Sequence, residues 1–266
     1  IYNLPGFAMN NAIRAQGNPK FAGNMMIICC ILNIILDPIL IFGFNMGIKG
    51  AALGTIICQF IVFVWSLHYF TLGKSSIKLK LKNIKIEFKV LKAITLIALT
   101  PFFMELASGF IHLLTNNILK SYGGDLTIGA MTVITSISLL FLMPVYGISQ
   151  GMQTIIAYNY GAKLYNRSRK TLSMAIIYSG VFLIFGVLII LLFKNQLIEV
   201  FTKDKNLQNI ASNGISIYLC MLPTIGVSVL GTVYFQSIGK AKLSMILSLL
   251  RQVIIFIPFI LTLPKI

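Results

Sequence analysis

Long runs of apolar residues, separated by short polar segments, dominate this chain of 266 residues. A helix that crosses the hydrocarbon core of a membrane needs about 20 mainly apolar residues. By this rule the pattern predicts seven complete membrane spans. The predicted spans are 21–43, 51–72, 93–119, 127–150, 171–193, 209–235 and 243–263. The chain is therefore expected to be all-α and polytopic.

The composition agrees with a membrane protein and argues against a soluble one. Hydrophobic residues make up 57% of the chain and charged residues only 11%, and the mean hydropathy is +0.89. A soluble globular domain has about a quarter charged residues. The net charge of +16 would suggest nucleic acid binding in a soluble protein, but here the Lys and Arg residues lie in the loops. No nucleic acid partner is therefore expected.

The loop 73–92 indicates how the chain is oriented in the membrane. It contains many lysines and a single acidic residue, Glu87. The lysines are Lys74, Lys78, Lys80, Lys82, Lys85, Lys89 and Lys92. Because Lys and Arg concentrate in cytoplasmic loops, this loop is expected to lie in the cytoplasm. We interpret it as a connector between two membrane bundles, and equally as a strip that contacts anionic membrane lipids.

The first predicted span contains a carboxylate in an otherwise apolar run. A charged Asp near the middle of a membrane helix costs about 2.5–3.5 kcal/mol on insertion scales, so Asp37 is a functional candidate. Asn33 lies one helical turn before Asp37 and shares its face. Pro38 lacks the N–H that would bond the carbonyl of Ile34, and this frees a third oxygen. Such hard oxygen ligands suit Na⁺, and a carboxylate also carries a proton. The alternative is a neutral Asp37 that only bonds a neighbouring helix.

Thr55 is the candidate for a further ligand at Asp37. At 1.5 Å per residue, Asp37 lies about 10 Å from the outer end of its span, and Thr55 enters the next span at a similar depth. Its hydroxyl could complete the oxygen cage. The alternative is a hydroxyl that bonds a carbonyl of its own helix.

A second carboxylate, Glu105, begins a polar stripe on the span 93–119. Ser108, His112, Thr115 and Asn116 follow it at helical spacing. In a membrane, such a stripe is expected to face a bundle interior or a water-filled cavity. Nearby aromatic residues, Phe102, Phe103 and Phe110, would attract a lipophilic cation beside the carboxylate.

Two alternatives remain open for this stripe. Its residues could serve only in hydrogen bonds between helices. Glu105 could also pair with Arg251, the only basic residue inside a predicted span.

Proline residues interrupt several of the predicted spans. Pro38, Pro101 and Pro144 are interpreted as structural hinges, because proline removes a hydrogen bond from the helix and bends it.

A weak internal repeat relates two distant segments. Gly17-Asn18-Pro19-Lys20 and Gly239-Lys240-Ala241-Lys242 both precede an apolar helix, at an offset of 222 residues. The two helix–loop–helix units are predicted to cross the membrane in the same direction. Parallel repeats of this kind are found in transporters.

The sequence contains no motif that predicts an enzyme. It has no phosphate-binding G-x-x-x-x-G-K-[ST] loop, no H-E-x-x-H and no G-x-S-x-G. The four cysteines lie in apolar runs without C-x-x-C spacing, and we assign them to packing. No cofactor is expected beyond a coupling ion.

Several motifs together resemble the multidrug and toxic compound extrusion (MATE) family, in particular its bacterial drug-exporting branch. They are the segments 14–20, 33–42, 47–52, 147–153 and 158–163. The resemblance implies a fold of twelve helices in two lobes with a parallel pseudo-two-fold repeat. The chain looks like the end of the fourth helix through the eleventh, and thus like a fragment truncated at both ends.

This resemblance also implies a domain division and site residues. Residues 1–72 would end the N-lobe, 73–92 would link the lobes, and 93–266 would belong to the C-lobe. Asn33, Asp37 and Thr55 match positions of the N-lobe cation site. The residues assigned to the substrate cavity are Glu105, Ser108, His112, Asn116, Gln150 and Gln153. The carboxylate that one branch places on its tenth helix is missing, because 209–235 contains no Asp or Glu.

The function implied is export of amphiphilic, often cationic, compounds across a bacterial cytoplasmic membrane in exchange for H⁺ or Na⁺, by a monomer. The first alternative is a flippase for lipid-linked oligosaccharides from the same superfamily. Such a flippase would use a more basic cavity than these spans offer. The second is a membrane assembly protein that transports nothing and needs no intramembrane acid.

Overall fold

The computed structural model describes residues 2–73, 75–79, 87–250, 254 and 256–262, and these form helices without any strand. The hydrocarbon core of a membrane offers no water to the backbone, so apolar spans satisfy their N–H and C=O groups by forming helices. The all-α expectation is thereby confirmed. The helices are α1 (Asn3–Ala15), α2 (Pro19–Pro38), α3 (Ile48–Thr71), α4 (Phe88–Gly161), α5 (Tyr165–Leu192), α6 (Lys194–Phe201), α7 (Lys205–Cys220), α8 (Leu222–Ser237), α9 (Ala241–Leu249) and α10 (Phe256–Thr262).

The chain divides into two compact units, residues 1–87 and 88–266. The division lies inside the range 73–92 that the sequence assigns to a linker. However, α4 already begins at Phe88, so the end of that range is helical. The start of the range folds back on the first unit, where the Ser75 hydroxyl donates to Gln16 Oε1 at 3.0 Å.

The first unit packs α1, α2 and α3 around a small apolar core. Its fully buried residues include Ile13, Ala22 and Met25. Gly50 lets α3 approach the end of α2 closely, because a Cβ atom there would lie 2.8 Å from the carbonyl carbon and oxygen of Leu40. Small residues allow such approaches between membrane helices.

The second unit has a larger core, to which α4, α5, α6, α7 and α8 contribute. Its fully buried side chains include Ile137, Ile156, Leu183, Ile215, Leu219 and Leu230. Gly226 brings α8 close to α5, because a Cβ atom there would overlap the side chain of Leu183. Both units therefore depend on glycine at a point of close helix contact.

Among the described residues, four helices are long and apolar enough to cross a membrane, or five if the bent pair α7–α8 counts as one. The four are Pro19–Gly43, Ile48–Thr71, Pro101–Gly161 and Tyr165–Leu192. As a straight helix, the third would measure about 90 Å, three times the hydrocarbon core. It therefore accounts for two predicted spans.

The break within α4 lies at Gly124 and not at a proline. The backbone there has φ 67° and ψ −165°, a conformation that is essentially restricted to glycine. Pro101 and Pro144 lie inside the same helix, and its backbone φ and ψ angles depart from helical values only at Gly124. The assignment of these two prolines as hinges stays a prediction.

The predicted span 209–235 is not continuous. Helices α7 and α8 meet at Met221 with a bend of 48°. Pro223 stands in the first turn of α8 and has no N–H to offer the preceding turn, which explains why the helix breaks here. The last predicted span, 243–263, includes residues that lie outside the described part of the chain, and Arg251 is one of them.

The two turns that the predicted repeat relates have the same backbone hydrogen bonds. In the first turn, Gly17 N–H bonds Arg14 O at 3.0 Å and Asn18 N–H bonds Ile13 O at 3.3 Å. In the second, Gly239 N–H bonds Gln236 O at 3.1 Å and Lys240 N–H bonds Phe235 O at 2.9 Å. This is the Schellman pattern, in which the residue after the helix adopts a positive φ. Gly17 has φ 86° and Gly239 has φ 76°.

A third turn of the same kind connects α4 to α5, with Lys163 at the position of positive φ, 61°. Lys163 N–H bonds Tyr160 O at 3.0 Å and Leu164 N–H bonds Asn159 O at 2.8 Å. All three hairpins also carry a side-chain hydrogen bond between the positions seven before and five after this residue. These bonds are Asn10 to Ala22 O, Ser168 to Ile156 O, and Ser244 to Thr232 O. The sequence repeat includes only the turns at Gly17 and Gly239, because the third turn has lysine in place of glycine.

We predict that Gly50→Ala destabilises the protein by about 1–3 kcal/mol, because the added methyl group meets the backbone of Leu40, which cannot move aside as a side chain can. Gly23→Ala in α2 is the control, since a Cβ atom there has no atom within 4 Å. This control should be neutral or stabilising by up to about 1 kcal/mol. Thermal unfolding in detergent measures both changes, and equal destabilisation by the two variants would contradict the close contact.

Candidate functional site

Asn33 and Asp37 form a hydrogen-bonded pair on α2. The Asn33 side-chain amide donates from Nδ2 to Asp37 Oδ1 at 3.1 Å, and both side chains are half-buried. The spacing of four residues brings the two groups together, as the sequence predicts. A polar pair thus occupies a helix whose other residues in this region are apolar.

Gly54 of α3 lies directly against this pair. A Cβ atom on Gly54 would overlap Asp37 Oδ1 and would lie 3.6 Å from Asn33 Nδ2. The buried backbone of α3 therefore covers the carboxylate on one side. The sequence signal was the pair of glycines Gly50 and Gly54, one helical turn apart, a spacing that favours close helix packing in membranes.

The helix changes its hydrogen-bond register immediately after Asp37. Pro38 ends the α-helical part of α2, and residues Ile39–Gly43 form a π-helical turn. Phe44 N–H bonds Ile39 O at 3.0 Å, five residues back. Such π-helical turns are rare and often occur at functional sites. Pro38 removes the bond to the carbonyl of Ile34 and so weakens the last turn of α2, directly before the π-helical turn.

Thr55 lies close to the pair but bonds its own helix. Its hydroxyl donates to Ala51 O at 3.0 Å, and the side chain is exposed. This is the alternative that the sequence left open. Thr55 and Asn33 nevertheless line the same cavity of about 250 Å³, so a role for Thr55 as a cation ligand stays a prediction.

The cavity beside Asn33 is mostly apolar and contains three thiols. Its lining residues are Asn3, Gly6, Phe7, Met26, Cys29, Cys30, Asn33, Thr55, Cys58, Gln59 and Val62. Cys29 donates from its thiol to Cys58 O at 3.6 Å, and both side chains are buried. The four cysteines of the chain are free thiols.

Glu105 lies on an exposed face of α4, in a separate apolar depression. The depression has a volume of about 730 Å³ and is lined by Phe102, Glu105, Leu106, Gly109, Phe110 and Leu113. Glu105 is the one charged residue among them. The structure therefore places a carboxylate among aromatic and aliphatic side chains, as the sequence predicts.

The rest of the predicted polar stripe follows Glu105 along α4. Ser108 is half-buried, whereas His112 and Asn116 are exposed. None of the three lines the depression at Glu105. The predicted partner Arg251 lies outside the described residues, so the pairing with Glu105 stays a prediction.

Gln150 and Gln153 lie on the part of α4 that follows the break at Gly124. Both side chains are exposed. Neither residue lines the two cavities described above. The structure therefore does not bring them together with Glu105 in one cavity, and their assignment to a substrate cavity stays a prediction.

The MatE family model matches residues 101–262 of this chain. The chain belongs to the MatE family. Among curated relatives, the multidrug export protein MepA of Staphylococcus aureus strain MSSA476 is 27% identical over 249 residues, which cover 94% of this chain and 55% of that protein. The chain thus spans about half the length of the curated relatives it matches.

Solved structures show the same fold at low sequence identity. One is the outward-facing conformation of a multidrug resistance MATE family transporter of the MOP superfamily, with a TM-score of 0.87 and 21% identity over 96% of this chain and 57% of the other. Another is a MOP superfamily transporter from Pyrococcus furiosus, with a TM-score of 0.85, 22% identity and the same coverage. The family fold of this multi-pass membrane protein is thereby confirmed, and these relatives are named as transporters and export proteins rather than enzymes.

A double-mutant cycle tests the contact between Gly54 and Asp37 in this MatE family chain. We predict that Gly54→Ala destabilises the protein by about 1–3 kcal/mol, because its methyl group displaces the carboxylate. In an Asp37→Ala background the same change should cost less than about 0.5 kcal/mol, since the overlapping oxygen is gone. Thermal unfolding of the four proteins measures the coupling, and additive effects would show that the two residues do not interact.

Proposed function

We propose that this chain belongs to a secondary active exporter of amphiphilic, mainly cationic, organic compounds, driven by exchange for H⁺ or Na⁺ at Asp37. The observation that carries the proposal is the Asn33–Asp37 pair in a membrane helix, covered by Gly54 and followed by a π-helical turn. We place the protein in a bacterial cytoplasmic membrane, as a monomer with the loop 73–92 in the cytoplasm. Membership of the MatE family supports this choice over an enzyme.

Asp37 is suited to carry either ion because its environment is largely apolar and its charge is only partly compensated. The Asn33 amide stabilises one carboxylate oxygen, but the amide is neutral and leaves the negative charge in place. A proton or Na⁺ on Asp37 would neutralise this charge. H⁺ and Na⁺ would compete for one carboxylate, so Asp37 could not bind both ions at once.

Asn33 gives the site a means to respond to the ion. In the structure its amide donates N–H to Asp37. An Asn side chain has donors at one end and an acceptor oxygen at the other, so a cation at Asp37 favours rotation of the amide to present Oδ1. Ion binding would thereby break the hydrogen bond within α2 and replace it with two oxygen–cation contacts.

The contact with α3 offers a route from the ion to the conformation of the helices. Because Gly54 lies against Asp37 Oδ1, a change in carboxylate position alters the fit between α2 and α3. The π-helical turn that follows supplies a segment whose hydrogen-bond register can change. A coupling ion shifts such an equilibrium only by its difference in affinity for the two states.

Glu105 is the residue we assign to recognition of cationic substrates. Its carboxylate lies in the same depression as Phe102 and Phe110. Aromatic faces attract cations, and the apolar walls favour the hydrophobic part of an amphiphile. A compound with a positive charge and an aromatic or aliphatic body fits both features.

The charges at the two cavities favour this proposal over a flippase for lipid-linked oligosaccharides. A cavity that holds a pyrophosphate needs Lys or Arg side chains. Within the part of the chain that the structure describes, neither the depression at Glu105 nor the cavity at Asn33 is lined by Lys or Arg. A membrane assembly protein without transport activity would not explain the presence of a carboxylate in the apolar helix α2.

We predict that Asp37→Asn abolishes gradient-driven export. Asn keeps the shape of the side chain and its capacity for hydrogen bonds, but it cannot exchange a proton or neutralise Na⁺. Dye efflux from proteoliposomes with an imposed H⁺ or Na⁺ gradient measures the effect at matched protein content, and a loss of at least about tenfold is expected. Thr55→Ala is the comparison and should reduce the rate less. Undiminished efflux by Asp37→Asn would remove this carboxylate from the coupling.

For the substrate site, we predict that Glu105→Gln weakens export of cationic dyes more than export of neutral ones. The change removes one charge and leaves the depression at its present size, so the loss should be about fivefold to tenfold for the cation and less than about twofold for a neutral analogue. Transport rates for a matched pair of dyes, one cationic and one neutral, test this. Equal losses for both dyes would indicate a structural role for Glu105.

A further inference from the structure

The hairpin between α4 and α5 differs from its two counterparts in the residue that adopts a positive φ. In all three turns the chain adopts a positive φ, at Gly17, Lys163 and Gly239. Glycine adopts this conformation without strain, whereas a lysine there is strained by its Cβ atom. The chain therefore retains a basic side chain at a position where the backbone favours glycine. Strained residues of this kind cluster at functional sites.

The same hairpin carries a dense group of positive charges. Lys163, Arg167, Arg169 and Lys170 lie within eight residues, and all four side chains are exposed. The turn after α1 has only Arg14 and Lys20 nearby, and the turn after α8 only Lys240 and Lys242. We call residues 158–170 the basic hairpin.

No acidic residue lies near the basic hairpin along its own two helices. The sequence from 126 to 198 contains neither Asp nor Glu. The flanking acids, Asp125 and Glu199, lie about 55 Å from the turn along the chain at 1.5 Å per helical residue. These acids therefore cannot neutralise the four basic side chains.

Aromatic residues accompany the charges. The rings of Tyr160 and Tyr165 pack edge to face with centroids 5.2 Å apart. Tyr158 is 77% exposed and lies one turn before the end of α4. Tyrosine is enriched at the boundary between lipid tails and headgroups, so these rings indicate the depth of the hairpin in the leaflet.

We infer that the basic hairpin binds the phosphate headgroup of an anionic phospholipid. Arg167 and Lys170 are three residues apart and therefore neighbours on α5, so they can contact one phosphate together. Lys163 supplies a third charge from the turn itself. The strain at Lys163 is then explained by the charge that this position contributes.

This site is separate from Asp37 and Glu105, and the inference does not depend on the proposed export activity. Its ligand is a lipid of the leaflet that surrounds the protein, and the tyrosines that flank the charges favour this source over a soluble phosphate. Binding of a soluble anion would not require exposed aromatic rings at the membrane boundary.

The test compares binding of dioleoyl phosphatidylglycerol and dioleoyl phosphatidylcholine to the purified, delipidated protein by native mass spectrometry. The double variant Arg167→Gln/Lys170→Gln should bind phosphatidylglycerol about 25-fold more weakly, at about fivefold for each charge removed. The control, Lys20→Gln/Lys242→Gln, removes two charges from the other turns and should change binding less than about threefold. Phosphatidylcholine binding should be the same in all three proteins.

Lys163→Gly provides an independent measurement. It should raise the melting temperature in phosphatidylcholine by about 2 °C, because glycine relieves the strain, and it should also reduce the additional stabilisation by phosphatidylglycerol. Equal loss of lipid binding in the control would overturn the inference in favour of general surface charge. If inorganic phosphate at about 1–10 mM displaces the lipid by competing for the same charges, the ligand is a soluble anion and not a lipid.

Discussion

The cost of a carboxylate inside an apolar helix constrains the first unit of this protein. Asp37 obtains one hydrogen bond from Asn33 on its own helix, and its other close neighbour is the backbone of α3 at Gly54. Glycine at this position admits the carboxylate between two packed helices without a side chain in the way. The proposed ion exchange depends on this arrangement, because the neutral amide of Asn33 bonds the carboxylate but leaves its negative charge in place.

Among the described residues, the regular helices are interrupted at three points, and a proline or a glycine lies at each of them. The change of register next to the candidate ion site directly follows Pro38. Gly124 separates two spans that would otherwise form one helix too long for a membrane. Pro223 accompanies the bend between α7 and α8. In a bilayer such breaks survive only where the freed backbone groups find partners within the protein, or reach a water-filled cavity or the surface.

The three helical hairpins share one backbone geometry although their sequences differ. Each turn ends its first helix with the same pair of backbone hydrogen bonds, and each hairpin carries one side-chain bond between equivalent positions. The residues that make the side-chain bond differ, Asn in one hairpin and Ser in the other two. The three hairpins therefore share their backbone geometry, whereas the exposed residues of the turns differ in charge.

The sequence by itself determined the membrane class, the positions of most spans and the pairing of Asn33 with Asp37, because these follow from hydropathy, length and helical spacing. It also located the carboxylate of Glu105 among aromatic residues. Only the tertiary structure decided that Thr55 bonds its own helix, that Gly54 covers Asp37, and that Lys163 occupies a turn built for glycine. These features depend on how neighbouring helices approach and on backbone torsion angles, and neither can be derived from the order of apolar and polar residues alone.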